Sequence, residues 1–224
     1  MAVVISLGGS MVNGTGNPDL IFLKKFKALL SGKEKIGIVV GGGKIARDYV
    51  KAAFSFSKNP FWGDTLAVQA TRLNAGLITR LFSEEACPVV FQDFESAAIA
   101  SKEYRIVVMG GTIPGITTDT DAVLLAEAMN AKRVINISNV DGVYDSNPTK
   151  NKNAKMFKKM TFKQIQDIAN KSDSRKPGTN FVFDVIACKL AARTALEVHF
   201  VGGKNIADLS KAFKGTSHRG TVVK

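Results

Sequence analysis

At 224 residues and 45% hydrophobic content the chain has room for one large α/β domain or two small ones, and one domain is the expectation. Lys and Arg outnumber Asp and Glu by 31 to 19, a net charge of +12 that suits anionic partners such as nucleotides. The basic residues are spread out and lack the aromatic interleaving of single-strand binders, so a nucleic-acid role is not expected. No apolar run reaches membrane-spanning length, no basic leader precedes the first apolar stretch, and the two cysteines, Cys87 and Cys188, are in no metal-like spacing, so a cytoplasmic protein with no membrane anchor is expected.

Val3 to Leu7 reads as a strand buried on both faces, ended by Gly8-Gly9-Ser10. A loop through Gly14 and Gly16 leads to a helix capped by Asn17 or Asp19, with Pro18 near its first turn, running to about Leu30. Ile36 to Val40 is a second strand, broken by Gly41-Gly42-Gly43 before a helix that carries Ile45, Tyr49 and Val50 and ends before Pro60. A long helix is expected from Gly63 and Asp64, burying a stripe of Leu66, Ala70, Leu73, Leu77 and Leu81, with Arg72 and Arg80 at its polar boundary. Strand Val89 to Phe91, a short helix around Phe94 to Ala100, and strand Arg105 to Met109 come next.

A polar loop, Gly110 to Thr118, then leads into a mostly apolar helix, Asp119 to Met129, in which Thr118 and Asp121 match a capping box. Arg133 to Ile137 is a strand, Asp141-Gly142 signals a turn, and Ser146 to Lys159 is an exposed basic connection. Thr161 caps a helix to Asn170, and Lys171 to Asn180 is the most loop-like stretch. A helix opened by Asp184 through Ala195, strand Val198 to Val201, helix Ile206 to Phe213 and strand Thr221 to Val223 complete the chain. The alternation argues for a mainly parallel sheet covered on both faces.

Three strand ends terminate in glycine clusters, after Leu7, Val40 and Met109, and in a parallel sheet they share one edge. Familiar fingerprints do not account for them. Gly41, Gly43 and Ala46 satisfy a dinucleotide pattern, but Asp64 precedes a helix where the ribose acid should end a strand. Ile45 stands where a P-loop needs Ser or Thr. Amide-rich loops, a few cations and a few carboxylates suit transfer between two phosphates. An acceptor phosphate is mostly ionised near neutral pH, its second pKa being about 6, so no general base is required. The task is to hold two polyanions in line with N–H donors, Lys or Arg, and Mg²⁺.

VGGGKIAR (Val40 to Arg47), WGDTLAVQATRLNAGL (Trp62 to Leu77), GGTIPGITTD (Gly110 to Asp119) and NVDGVYDSNP (Asn139 to Pro148) together resemble UMP kinases of the amino acid kinase superfamily, most closely the archaeal branch. The resemblance implies a three-layer αβα sandwich in which residues up to about 130 hold UMP and residues from about 131 hold ATP, with Mg²⁺ accompanying ATP. It implies that Gly9, Ser10, Gly43 and Arg47 contact ATP phosphates and that Gly42 holds UMP phosphate. Asp64 would accept from the UMP ribose, its plain alternative being the N-cap of the long helix. Thr112, Ile113, Pro114, Gly115, Ile116, Thr117 and Thr118 would wrap the uracil and its phosphate, and Ser138, Asn139, Tyr144 and Asn147 would line the adenosine pocket. Arg47 and Asp119 would be catalytic, and the assembly a homo-oligomer, a hexamer in the family.

Two positions depart from the family. Ser6 stands where bacterial relatives and other superfamily kinases carry a first-strand Lys, and Lys44, with Lys189 as the alternative, is expected to supply the missing cation. Asn147 stands where archaeal members carry Asp. The competing readings are a kinase of the same superfamily for a carboxylate, carbamate or isopentenyl phosphate acceptor, and a non-catalytic nucleotide or oxyanion binder on this fold.

Overall fold

The computed structural model of the protein describes residues 2–172 and 183–224. Its strands are β1 (Ala2–Leu7), β2 (Lys35–Val40), β3 (Ala86–Phe91), β4 (Ile106–Met109), β5 (Arg133–Ser138), β6 (Lys159–Met160), β7 (Glu197–Gly202) and β8 (Thr221–Val223). Its helices are α1 (Gly9–Asn13), α2 (Leu20–Leu29), α3 (Gly43–Phe56), α4 (Pro60–Leu81), α5 (Phe94–Glu103), α6 (Thr118–Ala128), α7 (Phe162–Ser172), α8 (Val185–Arg193) and α9 (Ile206–Lys214). The strands form one sheet in the order β3-β4-β2-β1-β5-β7-β8-β6, parallel throughout except for the antiparallel β7–β8 pair.

The central strands are apolar on both faces because each face meets helices. Val4, Val39, Val107, Val134 and Val198 pack toward α5, α6, α7 and α8. The alternate residues Val3, Ile5, Leu7, Ile38, Val108 and Ile135 pack toward α1, α2, α4 and α9. That period-two division yields three layers. Register sets the functional edge: Leu7 pairs with both Val40 and Ile137, and Val39 pairs with Met109, so the glycine turns leave the sheet side by side.

Several boundaries differ from expectation. α4 starts at Pro60, where the missing N–H is an unpaired donor position anyway, and Asn59 caps it by accepting from Phe61 N at 3.0 Å. Asp64 therefore lies inside the helix and is not its cap. The buried stripe of α4 is also rotated: Leu73 is 67% exposed, while Thr71, Asn74, Ala75 and Ile78 face inward. The loop after β1 contains the short helix α1. Most of the stretch read as most loop-like, Lys171 to Asn180, lies outside the described residues.

Among the described residues no helix is long and apolar enough to cross a membrane.

Candidate active site

The turns after β1 and β2 interlock backbone to backbone. Gly41 N donates to Leu7 O at 2.9 Å and Gly8 N to Ile137 O at 2.8 Å, and a Cβ on Gly9 would overlap Gly43 N and Gly41 O. Only glycine permits that approach.

The inward polar residues of α4 fasten these turns. Asn74 Nδ2 donates to Gly41 O at 2.8 Å and Gly42 O at 3.2 Å, and Asn13 of α1 joins through Asn74 Oδ1, Gly42 O and Lys44 N. One turn earlier, Thr71 Oγ1 accepts from Gly111 N at 2.6 Å, and Arg72 donates to Gly111 O and Thr112 O at 3.1 and 2.8 Å. Gly110 is pressed against the same turn, where a Cβ would meet Arg72 N at 2.7 Å, so its glycine serves packing on α4. None of Asn13, Thr71, Arg72 and Asn74 was singled out as a site residue in the sequence. The available signal was a helix whose buried stripe has to include polar side chains.

Residues 112–118 form a loop held at both ends. Burial raises the pKa of Asp64, against a smaller lowering from the Gly115 backbone N–H near its carboxylate. Asp121 accepts from Thr112 Oγ1 at 2.6 Å and Thr112 N at 3.3 Å, so it fastens the start of the loop. The expected capping box does not form: Thr117 is the N-cap of α6, accepting from Asp119 N and Thr120 N. Burial pushes Asp121 up to about 6 against the two Thr112 hydrogen bonds. Ile113 projects 58% exposed from the loop, beside Pro114 and Ile116. Thr118 opens α6.

Asp119 stands at the first turn of α6 beneath this loop. Its Oδ1 accepts from Ser6 Oγ and Asn136 Nδ2, both at 2.7 Å, from neighbouring register positions of β1 and β5. Burial dominates its environment and, with the Asp184 and Asp121 charges, carries its pKa to about 7 despite the two donors. Asp184, read from sequence only as a helix opener, joins the cluster: it caps α8 and accepts from the hydroxyls of Thr117 and Thr120.

The other half of the edge holds the remaining expected residues. Gly9 and Ser10 open α1, and Gly42 caps α3 ahead of Gly43, with Arg47 one turn on. Lys44 is paired with Asp48 on the outer side of α3. Lys189 is exposed on α8. Ser138 ends β5, bonding Val140 through its hydroxyl, and its carbonyl accepts from Gly203 N at 2.8 Å. Asn139 is exposed beside it. Tyr144 bridges to Met156, and Asn147 turns its carboxamide oxygen to Thr149 N and Oγ1 at 2.9 and 2.6 Å, so both sit in the connection leading away from the strand ends.

Residues 1–202 match the model of the amino acid kinase family. The chain belongs to the amino acid kinase family. It is 41% identical over 226 residues to the uridylate kinase of Thermococcus onnurineus (strain NA1), covering 100% of this chain and 99% of that one. The crystal structure of uridylate kinase from Archaeoglobus fulgidus matches over 100% of both chains with a TM-score of 0.83 and 36% identity. A UMP kinase structure from Bacillus anthracis, 21% identical with a TM-score of 0.77 over 100% of this chain and 95% of that one, shares the fold. In this amino acid kinase chain, then, the strand-end loops, the carboxylates behind them and the helix N-termini gather at one edge of the sheet.

Proposed function

We propose that the chain is an ATP-dependent UMP kinase, transferring the γ-phosphate of ATP to UMP to give UDP and ADP in pyrimidine nucleotide synthesis in the cytoplasm. The observation that carries the reading is the gathering, at one edge of the sheet, of the interlocked glycine turns, the loop that Asp121 fastens through Thr112, and Asp119 between Ser6 and Asn136. A carboxylate acceptor would need neither a ribose acceptor nor a loop sized for a base. The full-length similarity to archaeal uridylate kinases supports the same choice.

In this reading residues 1–130 hold UMP. Asp64 accepts from its ribose, residues 112–118 enclose the base, and Gly42 faces its phosphate. Residues 131–224 hold adenosine through Ser138, Asn139, Tyr144 and Asn147, while Gly9, Ser10, Gly43 and Arg47 meet the ATP phosphates. The acceptor oxygen is already ionised, so the residues supply alignment and charge balance and no base.

Among the described residues no three His, Cys, Asp or Glu side chains gather as a metal cage. That suits a Mg²⁺ carried by the ATP phosphates and its own waters, the usual arrangement for this hard and reluctantly dehydrated ion. The ion would neutralise charge on the transferring group.

Self-association fits the outer helices. α3 presents Tyr49 and the 90%-exposed Phe56, and neighbouring α4 presents Trp62 and Leu73, large apolar side chains that a lone chain would leave in water. A homo-oligomer, a hexamer by family resemblance, would bury them.

An acceptor screen with ATP and Mg²⁺ tests the function: ADP formation dependent on UMP supports it, and turnover with a carboxylate, carbamate or isopentenyl phosphate instead overturns it. A second reading draws on Ser6 in place of a lysine and on the Lys44–Asp48 pair, which leave the crevice short of a cation. It makes the chain a non-catalytic nucleotide binder, and it predicts UMP binding with no ADP formed.

A further inference from the structure

Asp184 is 7% exposed and makes an unusual number of contacts for a helix cap. Its Oδ1 accepts from Ile186 N at 2.8 Å and Ala187 N at 3.0 Å, the ordinary N-cap bonds of α8. It also accepts from the Thr120 hydroxyl, at 2.8 Å on Oδ2, and from the Thr117 hydroxyl. Thr117 Oγ1 is itself the acceptor for Asp119 N at 3.2 Å and Thr120 N at 3.4 Å. One carboxylate therefore secures two helix N-termini together. One is α8, in the part of the chain assigned to the donor nucleotide. The other is α6, which carries Asp119 and continues directly from the acceptor loop.

A cap needs only the two backbone bonds. The two extra hydroxyl bonds join sequence-distant halves of the chain, and by taking the Thr117 proton Asp184 keeps that hydroxyl's lone pairs turned to the α6 amides. We infer that Asp184 is a positioning residue for phosphoryl transfer: through Thr117 and Thr120 it fixes the acceptor loop and Asp119 in register with the donor half. This rests on the UMP kinase reading. It assigns Asp184 no contact with substrate. Its effect falls on alignment, where a displacement of about 1 Å can cost on the order of 100-fold in rate.

Asp184→Asn separates capping from positioning. The amide oxygen still caps α8, since Asn and Asp are equivalent N-caps, but the NH2 group replaces Oδ2, the acceptor of Thr117 and the nearer acceptor of Thr120, which keeps only its 3.0 Å bond to Oδ1. The expected result is a kcat lower by about 10- to 100-fold with KM for both UMP and ATP within about threefold of wild type. Faster amide exchange at Thr118 to Asp121 is expected alongside. Thr120→Val, which removes one hydroxyl and keeps the shape, should give the same pattern at about 3- to 10-fold, and it decides the matter alone if Asp184→Asn fails to fold. Unchanged kcat in the folded variants, or a loss confined to KM for UMP, overturns the inference. If wild type forms no ADP with UMP, the functional reading falls separately, and amide exchange alone decides this one: faster exchange supports it and unchanged exchange overturns it.

Discussion

Ser6 Oγ donates to Asp119 Oδ1 at 2.7 Å, so the first strand places a neutral hydroxyl next to this carboxylate. A hydroxyl stabilises the anion less than an ammonium does, and Asp119 accordingly sits at about 7, pushed up by burial and by the Asp184 and Asp121 charges. A folded-state pKa above the unfolded value means that the native state keeps the proton longer. Stability from this group is therefore fully present near pH 4 and is lost as pH rises to about 7, by roughly 2–4 kcal/mol. Asp119→Asn removes that slope: chemical denaturation at pH 8 should show the variant more stable than wild type, while its kcat falls by about 100-fold or more.

The histidine pair acts in the opposite direction. Gly220 N donates to His218 Nδ1 at 3.1 Å, which leaves the His218 proton on Nε2, 2.7 Å from His199 Nδ1. His199 then carries its proton on Nε2, 3.2 Å from Glu197 Oε1. Burial lowers His199 to about 4, the Glu197 charge opposing and the His218 and Arg133 charges adding to it. The unfolded chain takes up a proton near pH 6.5 and the native chain does not, so stability from His199 is lost as pH falls from about 6.5 to about 4. Long-range proton–nitrogen spectra at pH 7.5 should show both rings as Nε2–H tautomers, with His199 not titrating above pH 5. A Nδ1–H tautomer in either ring would contradict the relay.

Asp64 provides the sharpest test of the acceptor site. The start of α4 is capped by Asn59, which accepts from Phe61 N, so truncating Asp64 leaves the helix start intact. Under the proposed function, in which Asp64 accepts from the UMP ribose, Asp64→Ala should raise KM for UMP about 10- to 100-fold. KM for ATP should stay within about twofold. Steady-state kinetics with each nucleotide varied in turn checks this.

The layered fold was legible because parallel strands buried on both faces are continuous apolar runs, and those after Met1, Lys35, Arg105 and Lys132 stand out. The convergence of the three glycine turns followed from parallelism alone. α4 was misread at both levels because its local cues conflict. Pro60 reads as the end of the preceding helix when it is the first residue of the next, and Leu73 looks like core while the buried positions on either side of it are Thr71 and Asn74. Those polar residues are buried because their partners are loop carbonyls and amides from distant strands. Asp121 was misassigned for the same reason, its Thr112 partner lying on the far side of a loop whose path no local pattern specifies.

Far from the crevice, Ala195 has φ +48 at the C-terminus of α8, where Ala195 N and Leu196 N turn back to Ala192 O and Ala191 O at 3.3 and 3.0 Å. Helices commonly end in this left-handed residue, and glycine adopts it without the Cβ penalty of about 1 kcal/mol. The equivalent turn after α6 uses Asn130, which tolerates φ +48 better. Ala195→Gly should therefore gain about 0.5–1 kcal/mol despite the greater freedom of its unfolded chain, raising Tm by roughly 1–4 °C in calorimetry with kcat unchanged.

Lys44 is paired with Asp48 four residues on, with both side chains largely in water. An exposed i,i+4 pair of this kind contributes only about 0.3–0.5 kcal/mol. The attraction of an ammonium to two nucleotide phosphates in a partly dehydrated crevice exceeds that several times over. The pair is therefore too weak to keep Lys44 from swinging toward a bound phosphate from its place directly after Gly43, and it serves as a resting position. Lys44→Ala should lose about 100-fold or more in kcat, with UMP affinity and Tm close to wild type. Asp48→Asn, which frees the ammonium without removing it, should retain full turnover. Stopped-flow phosphoryl transfer and calorimetric UMP binding measured on both variants separate the two effects, and normal turnover in Lys44→Ala would remove Lys44 from the reaction and leave Arg47 as the cation of the phosphate loop.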